Sequence, residues 1–166
     1  MNDDRARAEA ALAEAWEAAG RGALDAAREA FARAMLADSG FAPGWGGLGV
    51  VLGRMNRLDD AEAALRMAGS LAPDDAEYLF RLAEVLGARM AYGEAVELAM
   101  AAAHRRPEHV AGLELLADLL FAVRRYDDAR AIAEHALRLD PRSAAARDLI
   151  RRHQVPLTLT LDSVLV

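Results

Sequence analysis

A residue pattern that returns every 34 positions constrains this chain more than any other feature. Trp45, Leu79 and Leu113 form one column, Leu48, Leu82 and Leu116 a second, and Ala61, Ala95 and Ala129 a third. The same register carries Ala68, Ala102 and Ala136, the prolines at 73, 107 and 141, and the turn residues Leu58, Tyr92 and Tyr126. Six columns without an insertion match the length of a helix-turn-helix repeat, a unit that buries its apolar face only by stacking on copies of itself. An all-α solenoid follows. So does an expectation about role, because stacked repeats usually present a surface to another chain rather than enclose chemistry.

Composition says what kind of core the stack has. Hydrophobic residues make up 54% of the chain but aromatics only 5%. The excess is alanine, the best helix former, so the helices are expected to cross closely over few large side chains. The net charge of −6 has the wrong sign for displacing counterions from phosphates, and no nucleic-acid partner is expected. The basic pairs Arg105-Arg106, Arg124-Arg125 and Arg151-Arg152 are interspersed with acids. The chain has no cysteine, which removes disulfides, zinc–thiolate sites and thiol catalysis together. Met1-Asn2-Asp3-Asp4 lacks the positive and apolar regions of a signal peptide, and no run is long enough to span a bilayer. A cytoplasmic location without membrane contact is the expectation.

Periodicity and punctuation predict helix pairs. The first lies at about Arg5 to Ala19 and Leu24 to Ala37, broken by Gly20-Arg21-Gly22. The second spans about Pro43 to Arg54 and Leu58 to Leu71, the third Asp75 to Met90 and Gly93 to His104, the fourth Glu108 to Val123 and Tyr126 to Leu139. Pro73, Pro107 and Pro141 close the last three, since proline lacks an amide and disfavours a helical residue before it. Asp74 and Asp75 are placed to cap the helix that follows. A single helix from Arg142 to His153 reads as a cap over the last open face.

Trp45-x-x-Leu48-Gly49, followed by Leu52, Ala61, Leu65, Ala68 and Pro73, resembles a tetratricopeptide repeat, a unit of a right-handed α-α superhelix. Leu79, Leu82-Ala83, Leu86, Ala95, Ala99, Ala102 and Pro107 continue it, as do Leu113, Leu116-Ala117, Leu120, Ala129, Ala133, Ala136 and Pro141. The repeats are read at 42–75, 76–109 and 110–143, after a degenerate one at 8–41 that keeps Ala27, Phe31 and Ala34. With the capping helix at 142–153 they make one domain over residues 1–153. The resemblance implies a concave groove lined by the first helix of each pair. By position it assigns Leu12, Trp16, Val50, Arg54, Phe80, Arg81, Glu84, Leu115, Asp118 and Phe121 to that groove. Gly46, Gly47 and Gly53 fall on the same face, where they either leave room for a ligand or allow helices to approach. The positions that would clamp a terminal carboxylate hold no Lys–Asn set, so that chemistry is not expected.

After His153 the texture changes. Val155, Leu157, Leu159 and Leu161 alternate with Pro156, Thr158, Thr160 and Asp162, which is a strand period. A strand on a helical solenoid needs a partner for its backbone amides. The segment 154–166 is therefore expected to be an apolar contact, either an internal ligand or an oligomerisation element.

No catalytic constellation appears. Gly44-Trp45-Gly46-Gly47-Leu48-Gly49 lies inside a repeat helix and lacks the Lys-Ser/Thr of a phosphate loop. His104 and His109 are separated by a proline rather than by a helical ligand spacing. The expected function is a non-catalytic scaffold or adaptor, without metal or cofactor, that binds an extended peptide or a helix in the groove. Three alternatives stay open: a chaperone of the type III secretion class, a homo-oligomer built through the tail, and an accessory substrate-holding subunit of an enzyme complex.

Overall fold

The computed structural model describes residues 2–154, so the alternating segment with Val155, Leu157, Leu159 and Leu161 lies outside the described residues. Among the described residues the chain is all helical. The helices are α1 (Asn2–Gly20), α2 (Leu24–Ala37), α3 (Ala42–Arg54), α4 (Leu58–Leu71), α5 (Ala76–Ala88), α6 (Tyr92–Arg105), α7 (Val110–Ala122), α8 (Tyr126–Leu139) and α9 (Ala144–Gln154). They group into two compact units, Met1–Ala102 and Ala103–Val166.

In the first unit α1 packs on α2, α2 on α3, α3 on α4 and α4 on α5, and the first helices α1, α3 and α5 also meet in succession. The alanine columns explain how helices come so close. Ala27, Ala61 and Ala95, and likewise Ala34, Ala68 and Ala102, are completely buried, because a methyl is all that fits where two helices cross. Phe31, Val51, Leu65 and Leu86 fill the larger gaps. In the second unit α7 packs on α8, α8 on α9, and α7 on α9. Ala129 and Ala136 hold the crossings there, with Leu113 and Leu116 between them.

Side-chain caps open α5 and α9, whereas α2, α3, α4, α7 and α8 start without one. The Asp75 carboxylate accepts from the Glu77 amide at 3.0 Å and opens α5. The last helix begins two residues later than its sequence pattern implies, because Ser143 is the cap: its Oγ accepts from the Ala146 amide at 3.0 Å.

The turns inside the pairs share one conformation. Gly22, Asn56, Met90 and Arg124 have φ of 78°, 59°, 61° and 64°, and they stand 34 residues apart. In each turn the next amide reaches back five residues, as Arg57 N to Leu52 O, Ala91 N to Leu86 O and Arg125 N to Leu120 O, all at 2.9 Å. This left-handed closure satisfies the last carbonyls of the first helix and normally takes glycine or asparagine. Met90 adopts it while 74% exposed, so its side chain contributes little packing to offset the strain. Met90→Gly is expected to stabilise the fold by about 0.5–1 kcal/mol, net of the glycine's greater freedom when unfolded. A rise in the urea midpoint at unchanged slope would show it; a fall would mean that Met90 packs in a way its exposure conceals.

Candidate protein-binding site

Four of the residues assigned to a groove come together. Val50 and Arg54 from α3, with Arg81 and Glu84 from α5, line a cleft of about 420 Å³ whose apolar wall includes Leu58, Leu65 and Val85. A mostly apolar concavity with a few convergent charges is the usual form of a binding site. The charges differ in how far they are already satisfied. Arg81 donates to Glu77 at 2.8 Å and to Glu84 at 3.3 Å, so those three residues offset one another. Arg54 donates one Nη1–H to the Ala19 carbonyl at 2.9 Å, at the C-terminal end of α1, where a cation suits the helix dipole. Among the described residues Arg54 has no carboxylate partner, and its remaining donors leave the cleft with a local positive charge in an acidic chain.

The glycines of α3 separate into two kinds. A methyl on Gly46 would overlap the Tyr78 ring, one on Gly47 the Phe31 ring, and one on Gly49 the Leu65 side chain. These three are packing residues, and Gly46 and Gly47 are buried instead of lining a groove. Tyr78, over Gly46, has its phenol pushed above the usual range by burial and then by the carboxylates of Asp75 and Glu77. Gly53 is different. A methyl there would touch only Val85 Cγ2, at 3.8 Å, so neither packing nor backbone conformation calls for glycine, and its missing side chain holds part of the cleft open.

Phe80 requires a correction. It is 3% exposed, a core residue that cannot supply a contact face. The repeat register places it on the first helix of its pair, and only the tight approach of neighbouring helices covers it. Trp16 is the reverse case, 45% exposed, with its ring edge-on to Phe31 at 5.1 Å. Leu12 is half-buried and packs against the core that Phe31 anchors.

In the second unit Leu115 and Phe121 are half-buried and Asp118 is exposed. Arg152 of α9 donates to Asp118 at 3.2 Å and lies over the Phe121 ring, 5.5 Å from its centroid. Tyr126 meets the same ring edge-on at 5.1 Å. Asp118 and Phe121 therefore share one neighbour, and their surface is an aromatic ring under an ion pair.

Two family models described as tetratricopeptide repeat match the sequence, over residues 18–84 and 112–143. The chain belongs to the tetratricopeptide repeat family. No curated protein matches it in sequence. Among solved structures it resembles PilF of Pseudomonas aeruginosa, at 19% identity and a TM-score of 0.84 over 91% of this chain and 69% of that one. It also resembles MamA, at 18% and 0.76 over 82% and 80%. A third is YrrB, described as a tetratricopeptide protein with an unusual peptide-binding site, at 17% and 0.71 over 84% and 72%. At these identities the likeness is one of fold.

The repeat also builds a concavity that the sequence reading missed. Trp45, Leu48 and Leu52 of α3, Arg28 and Ala32 of α2, and Met67 of α4 line a second cleft of about 430 Å³. A signal existed in Met67, a large apolar residue outside the repeat columns, which lines the cleft and is 43% exposed. It was hidden because Trp45 and Leu48 occupy repeat columns that read as core. Among the described residues no group of His, Asp or Glu side chains converges to hold a metal ion, and no helix is long and apolar enough to cross a membrane. His135 is held within its unit, its Nε2 donating to the Pro107 carbonyl at 3.2 Å.

Proposed function

We propose that this tetratricopeptide repeat chain is a non-catalytic, cytoplasmic adaptor that takes an extended peptide or a helix of another protein on its first helices. The observation that supports this most is the cleft in which α3 and α5 gather Val50, Arg54, Arg81 and Glu84 around an apolar floor. Trp16 adds exposed aromatic surface in the same unit, and Leu115, Asp118 and Phe121 make a second contact patch on the other. The segment 154–166 acts as an internal ligand or an assembly element.

Selection from a random displayed peptide library on the immobilised chain tests the reading. The selected peptides are expected to pair apolar residues with an acid, and to lose at least tenfold in affinity, about 1.4 kcal/mol, for Val50→Glu, with the helical circular dichroism unchanged. Val50 is only half-buried, so the substitution charges the cleft without unpacking the core. Peptides that bind Val50→Glu and Arg81→Ala as tightly as the parent chain would place recognition elsewhere.

A further inference from the structure

We propose that the α3–α5 cleft is the receptor for the segment 155–166 of a second copy of this chain, with Asp162 set against Arg54. The inference rests on the cleft being a peptide-binding site, and it names one occupant. Charge is the first argument. Asp162 is the only ionisable side chain in residues 155–166, and Arg54 is the one cleft cation without a carboxylate partner among the described residues, Arg81 being engaged by Glu77 and Glu84. A single acid set against a single cleft cation fixes one register, whereas an apolar segment alone would slide.

Chemistry and room agree with that register. The segment offers Leu159, Leu161 and Val164 around its acid, and the cleft around Arg54 is walled by Val50, Leu58, Leu65 and Val85. Next to Arg54 stands Gly53, whose missing side chain serves neither packing nor turn geometry. The space it leaves is open to an apolar side chain delivered beside the acid, and Val164 shares the face of Asp162 in the strand period. Arg54 keeps its bond to the Ala19 carbonyl and still has Nε and Nη2 to donate to a carboxylate.

The cleft lies in the first compact unit and the segment at the end of the chain, so the contact joins different surfaces of two copies. Such a head-to-tail contact leaves a free cleft at one end and a free segment at the other, and growth continues unless the rotation closes a ring. The expected solution behaviour is a mass that climbs with concentration from the 17.8 kDa single chain, without halting at a dimer unless a ring closes.

Light scattering over a concentration series, with the full chain and three variants, tests this. Arg54→Glu and Asp162→Arg are each expected to return the mass to that of one chain, and the double variant to restore association. The Asp162→Arg arm matters because Arg54→Glu also removes the tie to α1. Because the chain has no cysteine, a Gly53→Cys chain mixed with a Val164→Cys chain is expected to give an oxidised heterodimer. The proposal fails if the parent chain stays at single-chain mass throughout, if either charge reversal leaves association intact, or if the double variant does not recover it. A monomer in which Gly53→Cys and Val164→Cys on one chain bridge internally would overturn it in favour of the segment folding onto its own cleft. If library peptides still depend on Val50 while the chain is monomeric, the adaptor reading stands and this one falls.

Discussion

Phe31→Ala is expected to lower the stability of the chain by about 3–5 kcal/mol, the usual range for emptying the site of a buried aromatic ring. Phe31 is fully buried. Its ring occupies the space left by the absent side chain of Gly47 on α3, and it receives the edge of Trp16 from α1 at 5.1 Å and 83° between planes. Three helices thus depend on one side chain. Gly47→Ala in the parent chain is expected to cost about 1–3 kcal/mol by overpacking, but much less when Phe31 is already alanine. Urea unfolding of the four chains of this cycle measures the coupling. Strict additivity of the two effects would show that the ring is not what keeps position 47 bare.

Two glycines one helical turn apart are expected to respond to the same substitution with opposite signs. Gly49→Ala drives a methyl into Leu65 and toward the Ala61 carbonyl. Leu65 is only 1% exposed and has nowhere to move, so a loss of about 1–3 kcal/mol is expected. At Gly53 the methyl meets Val85 at 3.8 Å, ordinary contact. There the helix gains what alanine offers over glycine, about 0.5–1 kcal/mol. Thermal and urea unfolding read both changes. The stabilised Gly53→Ala chain should nevertheless bind cleft ligands more weakly, because the methyl occupies part of the cleft. Destabilisation by Gly53→Ala would make position 53 a packing glycine like its neighbours.

How much of this was legible in the residues differs from element to element. Helix pairing could be read because it is a local matter: the apolar period, the prolines at 73, 107 and 141, and the Asp75 cap each act within a few residues of themselves. The fully buried alanines at 27, 61, 95 and 129 lie in the repeat column and were expected as crossing points. The left-handed turns at Met90 and Arg124 carry no local signal, because neither residue prefers that conformation. The repeat geometry imposes it, and only the turns at Gly22 and Asn56 use residues that favour it. For the candidate site, the sequence put Val50, Arg54, Arg81 and Glu84 on one face of the first helices and the four line one cleft, Val50 and Glu84 being equivalent places on successive first helices. The same rule failed for Phe80, because facing a neighbour and being covered by it differ only in how closely the helices approach.

By itself the sequence determined the family and the helical architecture of the described residues, because a 34-residue period and its punctuation are properties of short stretches of chain. Only the tertiary structure decided which glycines pack and which one leaves space, that Phe80 is core while Trp16 is surface, and that Arg54 remains a cation without a carboxylate. Each of those depends on distances between side chains far apart along the chain, set by how α1, α3 and α5 close on one another.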